Sequence, residues 1–228
     1  MNQAKLNILS RLKRSKGFKA PEREGLPSSH RSRSGIVQAE DLLRQLISKL
    51  EENHAEVHRV SALKWKTTLT DIMEREKAKH CLLGNNLAYQ SEIEQALRLH
   101  NNNISITRYS QAYETLRETL FHNIDIGITL AQGAIAETGT LLLLPNKDEP
   151  RMMSLVPPIH LVLLQEDQIY PDLSSLLNDE PWGQCEKMPS NVLFISSPSK
   201  TADIQQTLAY GAHGPKKLIV LVQENAEI

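Results

Sequence analysis

Cysteine is nearly missing from this sequence: Cys81 and Cys185 are the two in 228 residues, and they stand far apart. A disulfide framework needs a denser, paired set, so that class is excluded and a reducing compartment is expected. An iron–sulfur cluster ordinarily takes four thiolates, so the chain cannot hold one alone in the usual way. Aromatic residues are scarce too, at 4%, which leaves Leu, Ile, Val and Ala to fill the core that a 40% hydrophobic content can form. No run of 18 or more apolar residues occurs, so no membrane-spanning helix is expected. The amino terminus lacks the apolar segment and small-residue cleavage site of a secretory signal, and Glu22 and Glu24 argue against an organelle-targeting peptide. The expected location is the cytoplasm.

A strong charge of one sign is also absent. The net charge of −1 gives no reason to expect a surface that binds nucleic acid as a whole. The average hides an asymmetry: residues 1–35 carry nine Lys or Arg against two Glu, a net +7, and the remainder carries 17 basic against 25 acidic residues, a net −8. Leu6, Ile8, Leu9 and Leu12 recur among the basic residues at near-helical spacing, and Gly17 to Gly35, with Pro21 and Pro27, reads as a linker. Residues 1–35 are therefore expected to form a basic arm and residues 36–228 a folded domain. The arm lacks aromatic interleaving and any DNA-reading motif, so a solvated or partner-docking segment, compatible with peripheral membrane association, is expected instead of a nucleic-acid binder.

Within the domain, Ile36 to Leu50 and Ala62 to Lys79 show helical periodicity, and Val57 to Val60 alternates as a short strand. Short apolar runs follow at Cys81–Leu83, Ile104–Thr107, Gly127–Leu130, Thr140–Leu144, Ile159–Leu164, Val192–Ser196 and Leu218–Val222. Helical patterns at Ser91–Leu99, Ser110–Thr119 and Thr201–Leu208 separate several of them. Near-continuous apolar strands alternating with helices predict an α/β fold, a mostly parallel sheet with helices on both faces.

Polar interruptions of those strands mark candidate sites. Ser196 to Lys200 runs from a predicted strand toward the helix expected at Thr201, and so is expected outside the carboxyl ends of parallel strands, where such sheets bind ligands. Its hydroxyls, its backbone N–H groups, the helix N-terminus and Lys200 together suit an anion, or else Ser199 or Thr201 simply caps the helix. It is no Walker A loop, since Phe194 and Ser199 stand where glycines are required. Glu137 carries the one charge between Ala131 and Leu144, followed by Thr138-Gly139-Thr140. It reads as an acid–base group, a nucleophile or a ligand acceptor, or as a carboxylate capping a bend. His213 follows the last predicted helix and is placed to reach the same loop. His160, inside an apolar run, reads as a satisfied buried histidine. His54 and His58 have the spacing of a metal pair but no third ligand, and no metal site is predicted.

Taken in order, Gly127-Ile128-Thr129, Ala134 to Thr140, Pro157-Pro158-Ile159-His160, Ser199 to Ile204 and Gly211 to Pro215 closely resemble the lactate utilization protein C family and its LUD-domain relatives, over about residues 36–224. The resemblance implies a fold like that of sugar-phosphate isomerases and CoA transferases. It also implies a role in oxidising L-lactate to pyruvate beside two partner proteins that carry the iron–sulfur clusters, with no cofactor in this chain. The polar loops themselves point to a small polar ligand, held by Thr138, Gly139, Thr140, Ser196, Ser199, Lys200, Thr201, Asp203 and His213. By analogy with the nucleophilic glutamate of CoA transferases, Glu137 becomes a candidate catalytic residue. Two alternatives stay open: a stand-alone isomerase-like or CoA-transferase-like enzyme acting on a phosphorylated or CoA-linked molecule, and a regulator working through the basic arm.

Overall fold

The computed structural model describes residues 39–85, 89–100, 104–110, 113–179, 189–202, 208–211 and 213–224. The basic arm expected over residues 1–35 lies outside the described residues. The first described element, helix α1 (Ala39–Glu52), buries Leu43, Leu46 and Leu50 along one stripe. Glu40 and Asp41 in its first turn and Lys49 in its last complement the helix dipole.

A six-stranded sheet forms the centre, with spatial order β1 (Glu56–Val60), β12 (Lys217–Gln223), β7 (Ile159–Gln165), β4 (Ile126–Leu130), β2 (His80–Leu83) and β3 (Ser105–Arg108). Every pairing in it is parallel. Strands buried on both faces have no polar side to show, which is why the middles of β7 and β12, Leu161 to Leu164 and Leu218 to Val222, read as continuous apolar runs. One face packs Ile128, Leu161, Leu163, Ile219 and Leu221 under α2 (Trp65–Arg75) and α3 (Gln90–His100). On the other face Val162, Leu164, Leu218, Val220 and Val222 meet α1 and a second, smaller sheet. Leu82 of β2 packs with Leu116 and Leu120 of α4 (Tyr113–His122) and Met153 of α5 (Met152–Leu155). The α/β class with helices on both faces is therefore the observed one.

The smaller sheet runs β8 (Ile169–Tyr170), β5 (Gly133–Ile135), β6 (Thr140–Leu143), β9 (Leu193–Ile195), with α6 (Leu173–Asp179) packed on β5 and β8. Here the structure corrects two expectations. The strands at Thr140–Leu144 and Val192–Ser196 do form, but they pair antiparallel with each other beside the main sheet. The helix expected over Thr201–Leu208 is replaced at both ends by strands, β10 (Lys200–Ala202) and β11 (Leu208–Tyr210), paired antiparallel. Ala202, Ile204 and Leu208 satisfy strand alternation as readily as a helical stripe, and so short a run cannot separate the two.

Two glycines are set by close approach. At Gly127 a side chain would meet the Met153 carbonyl and, at 2.8 Å, the Pro157 ring, so α5 can lie directly on β4. Gly139 closes the β5–β6 hairpin at φ +62°, with the last turn of α1 so near that an added Cβ would lie 2.6 Å from Lys49 Cβ.

Candidate functional site

The residues that precede β7 and β12 create a cavity at the amino edge of the parallel sheet. Pro158 and Lys216 stand just before the two strands, and the Lys216 N–H donates to the Pro158 carbonyl at 2.8 Å. The β9–β10 loop then folds across these strand starts: Ser199 N–H donates to Pro215 O, and Gly211 N–H donates to Ser199 O, each at 2.8 Å. Beneath the loop is a cavity of about 450 Å³, with His160 and Leu218 at the sheet, Ser154 and Leu155 from α5, Phe194 to Lys200 on the loop side, and His213 to Pro215 closing it.

His160 is 1% exposed, and its Nε2 lies 2.8 Å from Thr129 Oγ1 on the neighbouring strand. Burial holds its pKa down to about 3, so the imidazole is neutral at physiological pH. Lys200 and His213 are exposed at the rim. These three are the ionisable side chains among the described lining residues, and no carboxylate is among them.

The Thr129 hydroxyl also borders a second, much smaller void, shared with Glu149 and Ser154. Glu149 Oε1 accepts the Leu130 N–H at 2.9 Å, and burial raises its carboxyl to about 7 against that hydrogen bond. The loop bearing it covers the carboxyl ends of β2 and β4, where Asn85 N–H donates to Asp148 O at 2.8 Å. That is the point at which the strand order reverses, the usual ligand crevice of an open parallel sheet. Here the chain's own loop packs into it.

The predicted site residues divide. Ser196, Ser199, Lys200 and His213 come together around the cavity. Thr138 and Thr140 do not line it but are tied to it, since Thr138 Oγ1 and Thr140 Oγ1 are 2.7 Å apart and Thr140 Oγ1 is 2.8 Å from Ser196 Oγ. Gly139 serves the packing of the hairpin on α1. Glu137 is exposed on the hairpin turn, its N–H donating to Pro171 O at 3.1 Å, and it is not among the cavity residues. The apolar surroundings inferred from its sequence neighbours belong to Ala134 to Ala136, which are buried, whereas the turn lifts Glu137 into water. Thr201 lies in β10, and Asp203 falls outside the described residues.

Two further expectations are corrected. The Ser196–Lys200 loop lies at the amino ends of parallel strands, because β9 runs in the smaller sheet and delivers its carboxyl end there. No helix N-terminus begins at Thr201, and the Ser199 N–H is already engaged by Pro215, so neither is offered to an anion. His54 sits on a turn at φ 66° and His58 on β1, bonded to Glu56, so their i, i+4 spacing does not put them on one helix face. Sequence reasoning quoted Thr129 within a motif but gave it no role, and it passed over Glu149. Glu149 reads in sequence as part of a charged surface loop, Lys147-Asp148-Glu149, and its burial has no local signal.

Comparison with known proteins places this architecture. The LUD domain family model matches residues 43–222, which span the elements that build both sheets and the cavity. The chain belongs to the LUD domain family. A protein of Neisseria meningitidis serogroup B is 34% identical over 96% of this chain and 92% of its own. The lactate utilization protein C of Halalkalibacterium halodurans is 25% identical over 95% of this chain and 93% of its own. Among solved structures, a DUF162 family protein from Deinococcus radiodurans shares the fold with a TM-score of 0.62 and 20% identity, over 82% of this chain and 98% of that one. The LUD domain core seen here, with helices on both faces of a parallel sheet and a smaller sheet docked beside them, is thus a fold shared across distant sequences. No helix among the described residues is long and apolar enough to cross a membrane.

Proposed function

We propose that this LUD domain protein works in L-lactate utilization, as the component without redox centres in a system that oxidises lactate to pyruvate beside iron–sulfur partner proteins. The observation that carries this is the end-to-end match with a lactate utilization protein C, 95% of one chain against 93% of the other, so the match is to a whole protein of that name and not to a shared module. The cysteine content supports the division of labour. Cys81 is fully buried and its thiol is pushed up out of the reactive range by desolvation, and a single further cysteine leaves the thiolates of a cluster to other chains. The cavity beside His160 is the ligand site of this reading. A clean chromosomal deletion tests it: growth on L-lactate as sole carbon source is expected to fail and to return with the intact gene, and the protein is expected to co-purify with iron–sulfur polypeptides. Unimpaired growth of the deletion strain on L-lactate would sink the proposal.

A further inference from the structure

The lining of the cavity at the amino edge mixes two kinds of side chain: Lys200, His213, Ser199 and His160 are polar, and Leu155, Ile195 and Phe194 are apolar. We propose that it binds an organic anion, with a carboxylate or phosphate head held by the polar set and an apolar body against the other. This deepens the ligand site of the proposed function, but it stands on the cavity and not on the pathway.

The charge argument is one of exclusion. A cationic ligand would meet no counter-charge among the described lining residues, because no carboxylate is among them. An anionic head, by contrast, meets Lys200 and His213 at the mouth and the Ser199 hydroxyl and an imidazole further in, while the Ser154 and Ser197 hydroxyls already donate to Arg151 O and Pro198 O. The size argument separates this ligand from lactate itself. At about 30 Å³ for a water molecule in the liquid, a three-carbon acid takes up on the order of 100 Å³, well short of the cavity's 450 Å³. That volume falls in the range of sites for cofactor-sized molecules, roughly 300–1,000 Å³. The apolar side chains supply the remaining contact: Phe194 is 48% and Leu155 37% exposed, so folding leaves both with surface that an occupant would remove from water.

Calorimetric titration of the purified full chain tests the proposal with matched probes. Flavin mononucleotide, adenosine monophosphate and octanoate each carry a head and a body. Riboflavin, adenosine and octanol keep the body without the charge, and inorganic phosphate and L-lactate keep the head with little body. At least one body-bearing anion is expected to bind ten times or more tightly than its uncharged relative and than phosphate or L-lactate, and the phosphate and carboxylate arms identify the head. Lys200→Ala is expected to weaken that anion about tenfold with the unfolding midpoint unchanged, and Phe194→Ser to weaken it without altering binding of phosphate. Uncharged relatives binding as well as the anions would overturn the proposal. So would L-lactate or phosphate binding as tightly as every body-bearing anion, a result that leaves the lactate role itself standing.

Discussion

The amino and carboxyl edges of the parallel sheet are built from the same strands, and both carry ion pairs, Glu56 and Glu76 with Lys217 and Arg75 at the amino starts of β1 and β12, but they differ where loops cross them. At the carboxyl edge the described residues tie one another down. The Arg59 guanidinium reaches Glu40, Glu166 and Glu224 at 3.0 to 3.5 Å, Gln165 bridges Tyr89 and Gln223, and the loop carrying Glu149 covers the ends of β2 and β4. At the amino edge beneath the β9–β10 loop, backbone hydrogen bonds hold the loop at its margins and leave about 450 Å³ beneath it. The difference teaches that a parallel sheet does not by itself choose its ligand edge. The strand-order rule marks the carboxyl side, and here a smaller, mixed sheet, through the antiparallel β6–β9 pair, moves the polar loop to the other.

The largest test of this contrast disturbs the packing of α5 on β4 beside the amino edge. Gly127→Val places a branched side chain against the Met153 carbonyl and the Pro157 ring, which are backbone and a rigid ring with little room to yield. A loss of about 3 kcal/mol in urea unfolding is expected, with weaker binding in the cavity that α5 helps to line.

The second test uses pH, because the two edges hold groups shifted in opposite directions. His160 is held at about 3 against 6.5 unfolded, so its contribution is fully present above pH 6.5 and is lost as pH falls toward 3. Glu149 is held at about 7 against 4.5 unfolded, so its contribution is fully present below pH 4.5 and is lost as pH rises through 7. Between pH 4.5 and 6.5 the two slopes oppose, each up to about 1.4 kcal/mol per pH unit. Glu149→Gln, which keeps an acceptor for the Leu130 N–H, is expected to gain stability more steeply than wild type as pH rises through this window. His160→Gln is expected to lose stability there. Parallel wild-type and variant curves would show that the two groups are not buried as described.

A smaller effect checks the link between the hairpin and the cavity. Ser196→Ala removes one partner of the Thr140 hydroxyl while Thr138 remains, so about 1 kcal/mol of stability is expected to go, measured by thermal unfolding. The smallest effect is expected at Glu137. As an exposed side chain outside the cavity lining, Glu137→Gln should leave the unfolding midpoint and the affinity for any cavity ligand unchanged. Loss of turnover by the isolated chain in that variant would instead revive the CoA-transferase-like alternative.

Much of the fold was legible before the structure. The apolar runs at 161–164 and 218–222 belong to strands covered on both sides, and the stripe Leu43, Leu46 and Leu50 could hardly be anything but one face of a helix. Of the site, Ser196, Ser199, Lys200 and His213 were found through their polar interruption of apolar sequence, and the structure brings them to one cavity. Glu137 drew attention for the same reason and lies elsewhere, since a hairpin tip is also a polar interruption. Glu149 went unnoticed because its burial depends on Gly84, Asn85 and Leu130, which are 19 or more positions away in the chain.

Local pattern therefore determined the class of fold, the near-absence of thiol chemistry and the family, because periodicity, composition and ordered motifs are properties of neighbouring residues. Pairing between distant strands decided the rest. Whether Leu193–Ile195 joins the parallel sheet or the smaller one, and whether Lys200–Ala202 starts a helix or a hairpin, depends on partners that a short segment cannot specify alone. Those two choices set the edge of the sheet on which the cavity opens and place His160 at its base.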